Sequence, residues 1–191
     1  MKKSVELNFR EHKNVLAYTF SKLEKNIINA SDLICRALTK KNLILWCGNG
    51  GSASDSMHLS AEFIGRFNKK RKSLNSISLA SNSPTLTCIS NDFGYKNVFS
   101  RQIEGLGKKN DVLIVFSTSG NSENILMALK KAKKQKMKTI AFLGKEGGRC
   151  KGLSDIDLIV PSQSTARIQE MHILIGHTLC DLVEKKLKLK K

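Results

Sequence analysis

His58 and Glu62 stand four residues apart in a stretch of helical pattern, so both side chains project from one helical face. An imidazole and a carboxylate at that spacing can ligate a metal, or set a base beside an orienting imidazole. Two plainer readings share the spacing: an exposed histidine, and a surface ion pair between Glu62 and Arg66. A second set lies near the end of the chain, where Gln169, His172, His177 and Asp181 share another helical segment. At about 100° per residue, Ile168, Met171, His172, Leu174, Ile175, Leu179 and Leu182 form one broad arc. His172 is therefore expected to be packed. Gln169 and His177 fall outside the arc, roughly 80° apart, and His177 is free to reach a site. Asp181 either orients His177 or is solvated.

Two loops carry chemistry of another kind. Gly48-Asn49-Gly50-Gly51-Ser52 follows a short apolar run and precedes a helix. Its glycines let the backbone turn sharply and approach a ligand. Ser52 is the expected N-cap, at a helix start whose free N–H groups favour an anion. The pattern is neither a G-x-G-x-x-G fingerprint nor a Walker sequence, which disfavours a nucleotide. The second loop, Ser117-Thr118-Ser119-Gly120-Asn121-Ser122, offers four hydroxyls, an amide and a glycine where another helix begins. Hydroxyls together with backbone N–H groups suit the oxygens of a phosphate monoester. One serine suffices to cap a helix; four exceed that need.

The elements that must position these groups alternate along the chain. Residues 4 to 38 read as an amphipathic helix, with Val5, Phe9, Leu16, Phe20, Leu23, Ile27, Ile34 and Leu38 at helical spacings. Ser31-Asp32 marks a kink or the start of a second helix. Strands are expected at 43–47, 74–79, 112–116, 139–143 and 158–160. Helices are expected at 52–67, 84–90, 98–105, 122–136 and 166–186. Continuous apolar strands separated by helices predict a parallel sheet covered on both faces. The expected fold class is α/β, a three-layer α-β-α, flavodoxin-like five-stranded parallel sheet with a long N-terminal helix. Two prolines, no linker and no repeat predict one domain over 1–191, with segment 1–40 in an oligomer interface.

Composition limits the rest. The five scattered cysteines form no Cys-x-x-Cys pair and fit a reducing compartment. The opening residues lack an apolar signal region, and no stretch approaches a membrane span of ~18 apolar residues. A cytoplasmic protein with no membrane partner is expected. Net charge is +17, from 33 Lys+Arg against 16 Asp+Glu, densest at Lys69-Lys70-Arg71-Lys72, at 130–138 and at 185–191. Only 6% of residues are aromatic and no nucleic-acid motif interleaves with the basic runs, which disfavours nucleic acid. The same field attracts an anionic small substrate.

Gly48-Asn49-Gly50-Gly51-Ser52-Ala53-Ser54-Asp55, with the loop at 117–122, resembles the sugar isomerase (SIS) domain over nearly the whole chain. Within that group the chain is most similar to the phosphoheptose isomerases. They carry segments like Ala53-Ser54-Asp55-Ser56-Met57-His58-Leu59-Ser60-Ala61-Glu62-Phe63 and Ala166-Arg167-Ile168-Gln169-Glu170-Met171-His172, with a second histidine where His177 stands. Met57 departs from the glutamine common there, at a position with no implied role. The resemblance implies one zinc per subunit, held by His58, Glu62, Gln169 and His177, with Glu62 and His177 as the acid–base pair. It implies that Asn49, Gly50, Gly51, Ser52, Glu62, Ser117, Thr118, Ser119, Ser122 and Gln169 bind a phosphorylated seven-carbon sugar. Asn91-Asp92, otherwise an ordinary turn, matches a substrate-binding pair. The implied reaction converts D-sedoheptulose 7-phosphate to D-glycero-D-manno-heptose 7-phosphate, opening nucleotide-activated heptose synthesis (ADP-heptose for lipopolysaccharide, or GDP-heptose). A homotetramer with sites at subunit boundaries is implied as well. Two rival readings are an isomerase of another phosphosugar and a non-catalytic SIS protein that associates with the bacterial replication initiator. The latter lacks the residues at Glu62 and His177.

Overall fold

The computed structural model describes residues 1–187; the final four residues of the basic tail lie outside the described residues. The apolar runs form β1 (Ile44–Cys47), β2 (Ser76–Ser78), β3 (Val112–Ser117), β4 (Lys138–Gly144) and β5 (Ile156–Val160). The helices are α1 (Lys2–Thr39), α2 (Gly51–Ile64), α3 (Ser83–Phe93), α4 (Val98–Leu106), α5 (Glu123–Lys134) and α6 (Thr165–Lys186). All strand pairings are parallel, in the order β2-β1-β3-β4-β5. The expected three-layer arrangement is present, and β2 is shorter than its apolar run because only residues 76–78 pair with β1.

Period-two alternation divides the core. Ile44, Trp46, Ile114, Phe116, Ile140 and Phe142 face the layer of α1, α2 and α6, with Leu59, Phe63, Met171 and Leu179 packed on them. Leu45, Cys47, Leu113, Val115, Ala141 and Leu143 face the other layer, against Val98, Ile103, Ile125 and Leu129. Trp46 is fully buried, and its indole N–H donates to Ser76 Oγ at 2.8 Å.

Helix α1 is continuous, so no second helix starts at Ser31-Asp32. Those residues anchor α6 instead: Lys186 Nζ donates to Ser31 Oγ and to Asp32 Oδ1, both at 2.7 Å. At 38 residues the helix is about 57 Å long, longer than the sheet it covers. Its C-terminal half buries Leu23, Ala30, Leu33, Ile34 and Ala37, while Val5, Phe9 and Phe20 remain exposed. Among the described residues no helix is long and apolar enough to cross a membrane, and all five cysteines are free thiols.

Candidate active site

Strands β1 and β3 are neighbours from which the chain departs in opposite directions across the sheet. That switch point is where a doubly wound sheet opens a crevice beyond its strand carboxyl ends. The glycine loop follows β1 there, and the hydroxyl loop follows β3. An amide pair ties them together: Asn49 Nδ2 donates to Asn124 Oδ1 at 2.9 Å, and Asn124 Nδ2 donates to Asn49 Oδ1 at 2.8 Å. Tyr95 Oη adds a donor to Asn49 Oδ1 at 2.9 Å.

Both following helices start without a side-chain cap. Ser52 is not the N-cap of α2 as expected; Gly50 is, at φ 55°, and Ser52 lies buried in the first turn. A side chain at Gly50 would be strained by that φ, and glycine accepts it. Ser122 is the N-cap of α5, but its hydroxyl lies 3.3 Å from Ser117 Oγ and not on an amide. Ser117 Oγ accepts from Gly120 N–H and Ser119 Oγ from Asn121 N–H, each at 3.1 Å. The first-turn N–H groups of two helices therefore stand free of capping side chains at the same crevice, an arrangement suited to an anion. Thr118 is half-buried in the same loop.

Helix α2 runs from the glycine loop to the second set of groups. His58 and Glu62 do share a face: His58 Nε2 is 3.5 Å from Glu62 Oε1. His177, on α6, brings its Nε2 to 2.9 Å from His58 Nε2. One donor atom from each of the three lies within 4.8 Å of the others. Burial lowers the His177 pKa, the His58 charge adds to the effect, and Glu62 opposes it. A neutral imidazole is the form that ligates a metal or accepts a proton. Two imidazoles and a carboxylate converging from two helices fit a divalent cation of the zinc type.

Other predicted residues take different places. The Gln169 amide lies against Gly51, so close that a Cβ there would sit 2.5 Å from Nε2; this brings α6 to the first loop. His172 is fully buried as expected, against Phe116 and Phe142. Asp181 does not orient His177: it pairs with Lys185 at 2.6 Å and accepts from Asn68 Nδ2 at 3.4 Å. Asn91 and Asp92 lie inside the last turn of α3, not after it, and bond to each other at 2.8 Å. Both remain exposed, and Tyr95, just beyond them, makes the link to the first loop.

Residue types and spacing did not single out four neighbours of the site. Asn124 is the second residue of α5 and closes the amide pair. Phe67 stacks on His177 with centroids 5.4 Å apart. Arg71, inside one of the dense basic runs, is buried against Glu184. Asp55, one turn before His58, has a carboxyl raised to about 6 by burial, with His58 pulling the other way. Only Asp55 had a visible signal, its place one helical turn from a candidate histidine.

The SIS domain family model matches residues 9–144. A phosphoheptose isomerase of Nitratiruptor sp. is 49% identical over 185 residues, spanning 97% of this chain and 99% of that protein. The solved phosphoheptose isomerase of Neisseria gonorrhoeae superposes with a TM-score of 0.91 at 37% identity, covering 96% of this chain and 98% of that one. The structure of a phosphoheptose isomerase from Francisella tularensis gives 0.93 at 34% identity, covering 96% and 97%.

Proposed function

The chain belongs to the SIS domain family, and within it to the phosphoheptose isomerases; from that membership we propose that it interconverts D-sedoheptulose 7-phosphate and D-glycero-D-manno-heptose 7-phosphate. The observation that carries the reading is the convergence of Glu62 and His177, beside His58, on a helix that begins at an anion-suited crevice. From Gly51 to His58 the helix rises about 10 Å, so a substrate gripped at its phosphate presents its far end to the acid–base groups. Phosphate binding remote from the chemistry supplies the energy that holds C1 and C2 in place.

Moving the carbonyl from C2 to C1 requires that a proton leave the carbon beside it and return at the neighbouring carbon. Glu62 takes the carbon proton and returns it, and His177 exchanges protons with the two oxygens. The enediolate between these steps carries negative charge on oxygen, which hydrogen-bond donors or a cation placed there would stabilise. Ser117, Thr118, Ser119 and Ser122, with the N–H groups of the glycine loop around Asn49, Gly50, Gly51 and Ser52, hold the phosphate. Gln169, Asn91 and Asp92 contact the sugar. His58, Glu62 and His177, joined by Gln169, would hold one zinc ion per subunit. When bound, zinc would supply positive charge that stabilises negative charge developing on oxygen.

The exposed Val5, Phe9 and Phe20 on α1 support self-association, which we assign as a homotetramer, with the enzyme working in the cytoplasm and its product entering nucleotide-activated heptose synthesis. The test is solvent-deuterium incorporation at C1 of sedoheptulose 7-phosphate, followed by NMR, alongside five- and six-carbon phosphosugars. Exchange that is fastest with the seven-carbon compound supports the proposal; no exchange with it refutes the enzyme reading.

A further inference from the structure

Glu184 lies on α6 seven residues beyond His177, two helical turns further along. Its carboxylate accepts four hydrogen bonds: from the backbone N–H of Phe67 (3.0 Å), Asn68 (2.9 Å) and Lys69 (2.9 Å), and from Arg71 Nε (2.8 Å). The pair is buried, its side chains 1% and 2% exposed. The rest of the Arg71 guanidinium faces the end of α2. Nη2 donates to the carbonyl of Glu62 at 2.7 Å, and Nη1 to the carbonyls of Phe63 at 2.8 Å and Lys72 at 3.2 Å. The Glu62 and Phe63 carbonyls belong to the last turn of a helix, where main-chain acceptors lack helical partners and a cation is favoured. One ion pair thus joins the main chain of Glu62 to the helix that carries His177.

The same carboxylate acts on His177 by a second route. Its three backbone bonds hold the segment that begins at Phe67, whose ring lies nearly parallel to the His177 imidazole at 23°. His58 meets the imidazole edge-on at 5.1 Å. The ring is therefore bounded by two aromatic neighbours, one of them fixed by Glu184.

A buried ion pair is a weak source of stability, because desolvation offsets the attraction. A planar fork between fixed acceptors is a good spacer, and lysine cannot reproduce it. We propose that Arg71 and Glu184 are positioning residues that set the distance and orientation between the Glu62 carboxylate and the His177 imidazole. This rests on the assignment of those two groups as the acid–base pair.

The test uses the full-length enzyme as purified. R71K keeps the charge and loses the fork; E184Q keeps the shape and loses the charge. F67L removes only the stacked ring, from a half-buried position, and V183A thins the core on the same turn as Glu184 as a destabilised control. In R71K and E184Q, kcat falls about ten- to hundred-fold with KM within about two-fold. V183A, at a comparable loss of melting temperature, keeps kcat within about two-fold. In histidine-labelled protein, the His177 Cε1–H resonance shifts in R71K, E184Q and F67L, while that of His12 stays in place. Folded R71K and E184Q with kcat near that of the unaltered enzyme, or an unmoved His177 resonance, overturns the proposal. If the unaltered enzyme has no isomerase activity, the catalytic reading fails, and the resonance still decides whether the clamp sets His177. If E184Q does not fold, R71K and F67L carry the decision.

Discussion

His58 Nε2 and His177 Nε2 face each other at 2.9 Å, although 119 residues separate them in the chain. At that distance the two nitrogens face one shared position, which a single cation can occupy. Glu62, 3.5 Å from the same His58 nitrogen, supplies a negative charge to the shared position. Two imidazole nitrogens that converge beside a carboxylate make a donor set suited to a metal ion.

Zinc binding should therefore depend on this contact. Protein treated with a chelator is expected to take up one equivalent of zinc per subunit in calorimetry, with a rise in melting temperature. H58A and H177Q should each weaken binding at least about ten-fold. Because ligation requires neutral imidazoles, the affinity should fall as pH drops from 7.5 to 6. Equal affinity in H58A would remove His58 from the ligand set.

Glu62 should be separable from binding. In Glu62→Gln, deuterium exchange at C1 should fall at least about a thousand-fold, the scale of a lost general base. Binding of sedoheptulose 7-phosphate, measured by calorimetry, should persist within about ten-fold. A variant that still exchanges at near the normal rate would place the base elsewhere.

The alternation of apolar runs and helices made the parallel sheet and both loops readable, because β1, β3 and β4 are buried on both faces and each loop follows one of these strands directly. The face shared by His58 and Glu62 was equally local, a matter of four residues on one helix. Its partnership with His177 was legible only through resemblance, since helical phase places His177 toward a site without saying which. Arg71 and Glu184 were invisible for a related reason. Each sits beside lysines in the sequence, and burial of a charge is set by a partner 113 residues away. The second helix start suggested at Ser31-Asp32 came from cap-type residues whose side chains bind Lys186 of another helix.

The second loop should tolerate loss of a hydroxyl better than loss of Gly120. Gly120 has φ 65°, and a Cβ there would collide with the backbone carbonyl of Gly147. Gly120→Ala is expected to destabilise the fold by about 2 kcal/mol or more. Ser119→Ala should leave the melting temperature nearly unchanged while KM rises about ten-fold for the phosphorylated substrate. Chemical denaturation and steady-state kinetics distinguish the two. Unchanged KM in Ser119→Ala would take that hydroxyl out of phosphate binding.

His172 gives stability a pH dependence whose sign follows from its burial. Burial pushes its pKa down from 6.5 to about 4, and the hydrogen bond to the Leu143 carbonyl opposes this only in part. That bond, 3.0 Å from Nε2, makes Nε2 the donor and leaves Nδ1 buried without a partner. Between pH 6.5 and about 4 the unfolded chain binds a proton that the folded chain refuses, so unfolding becomes easier as pH falls. Across the window the contribution is about 3 kcal/mol, lost progressively on acidification. Asp55, raised to about 6, acts in the opposite sense, though its partial exposure reduces the effect. The His172 contribution is therefore read as a difference. In urea unfolding at pH 7.5, 6.5, 5.5 and 4.5, the unaltered chain should lose stability relative to H172M by about 1.4 kcal/mol per pH unit below 6.5. Parallel curves for the two proteins would mean that His172 accepts a proton in the folded core, which the buried, partnerless Nδ1 argues against.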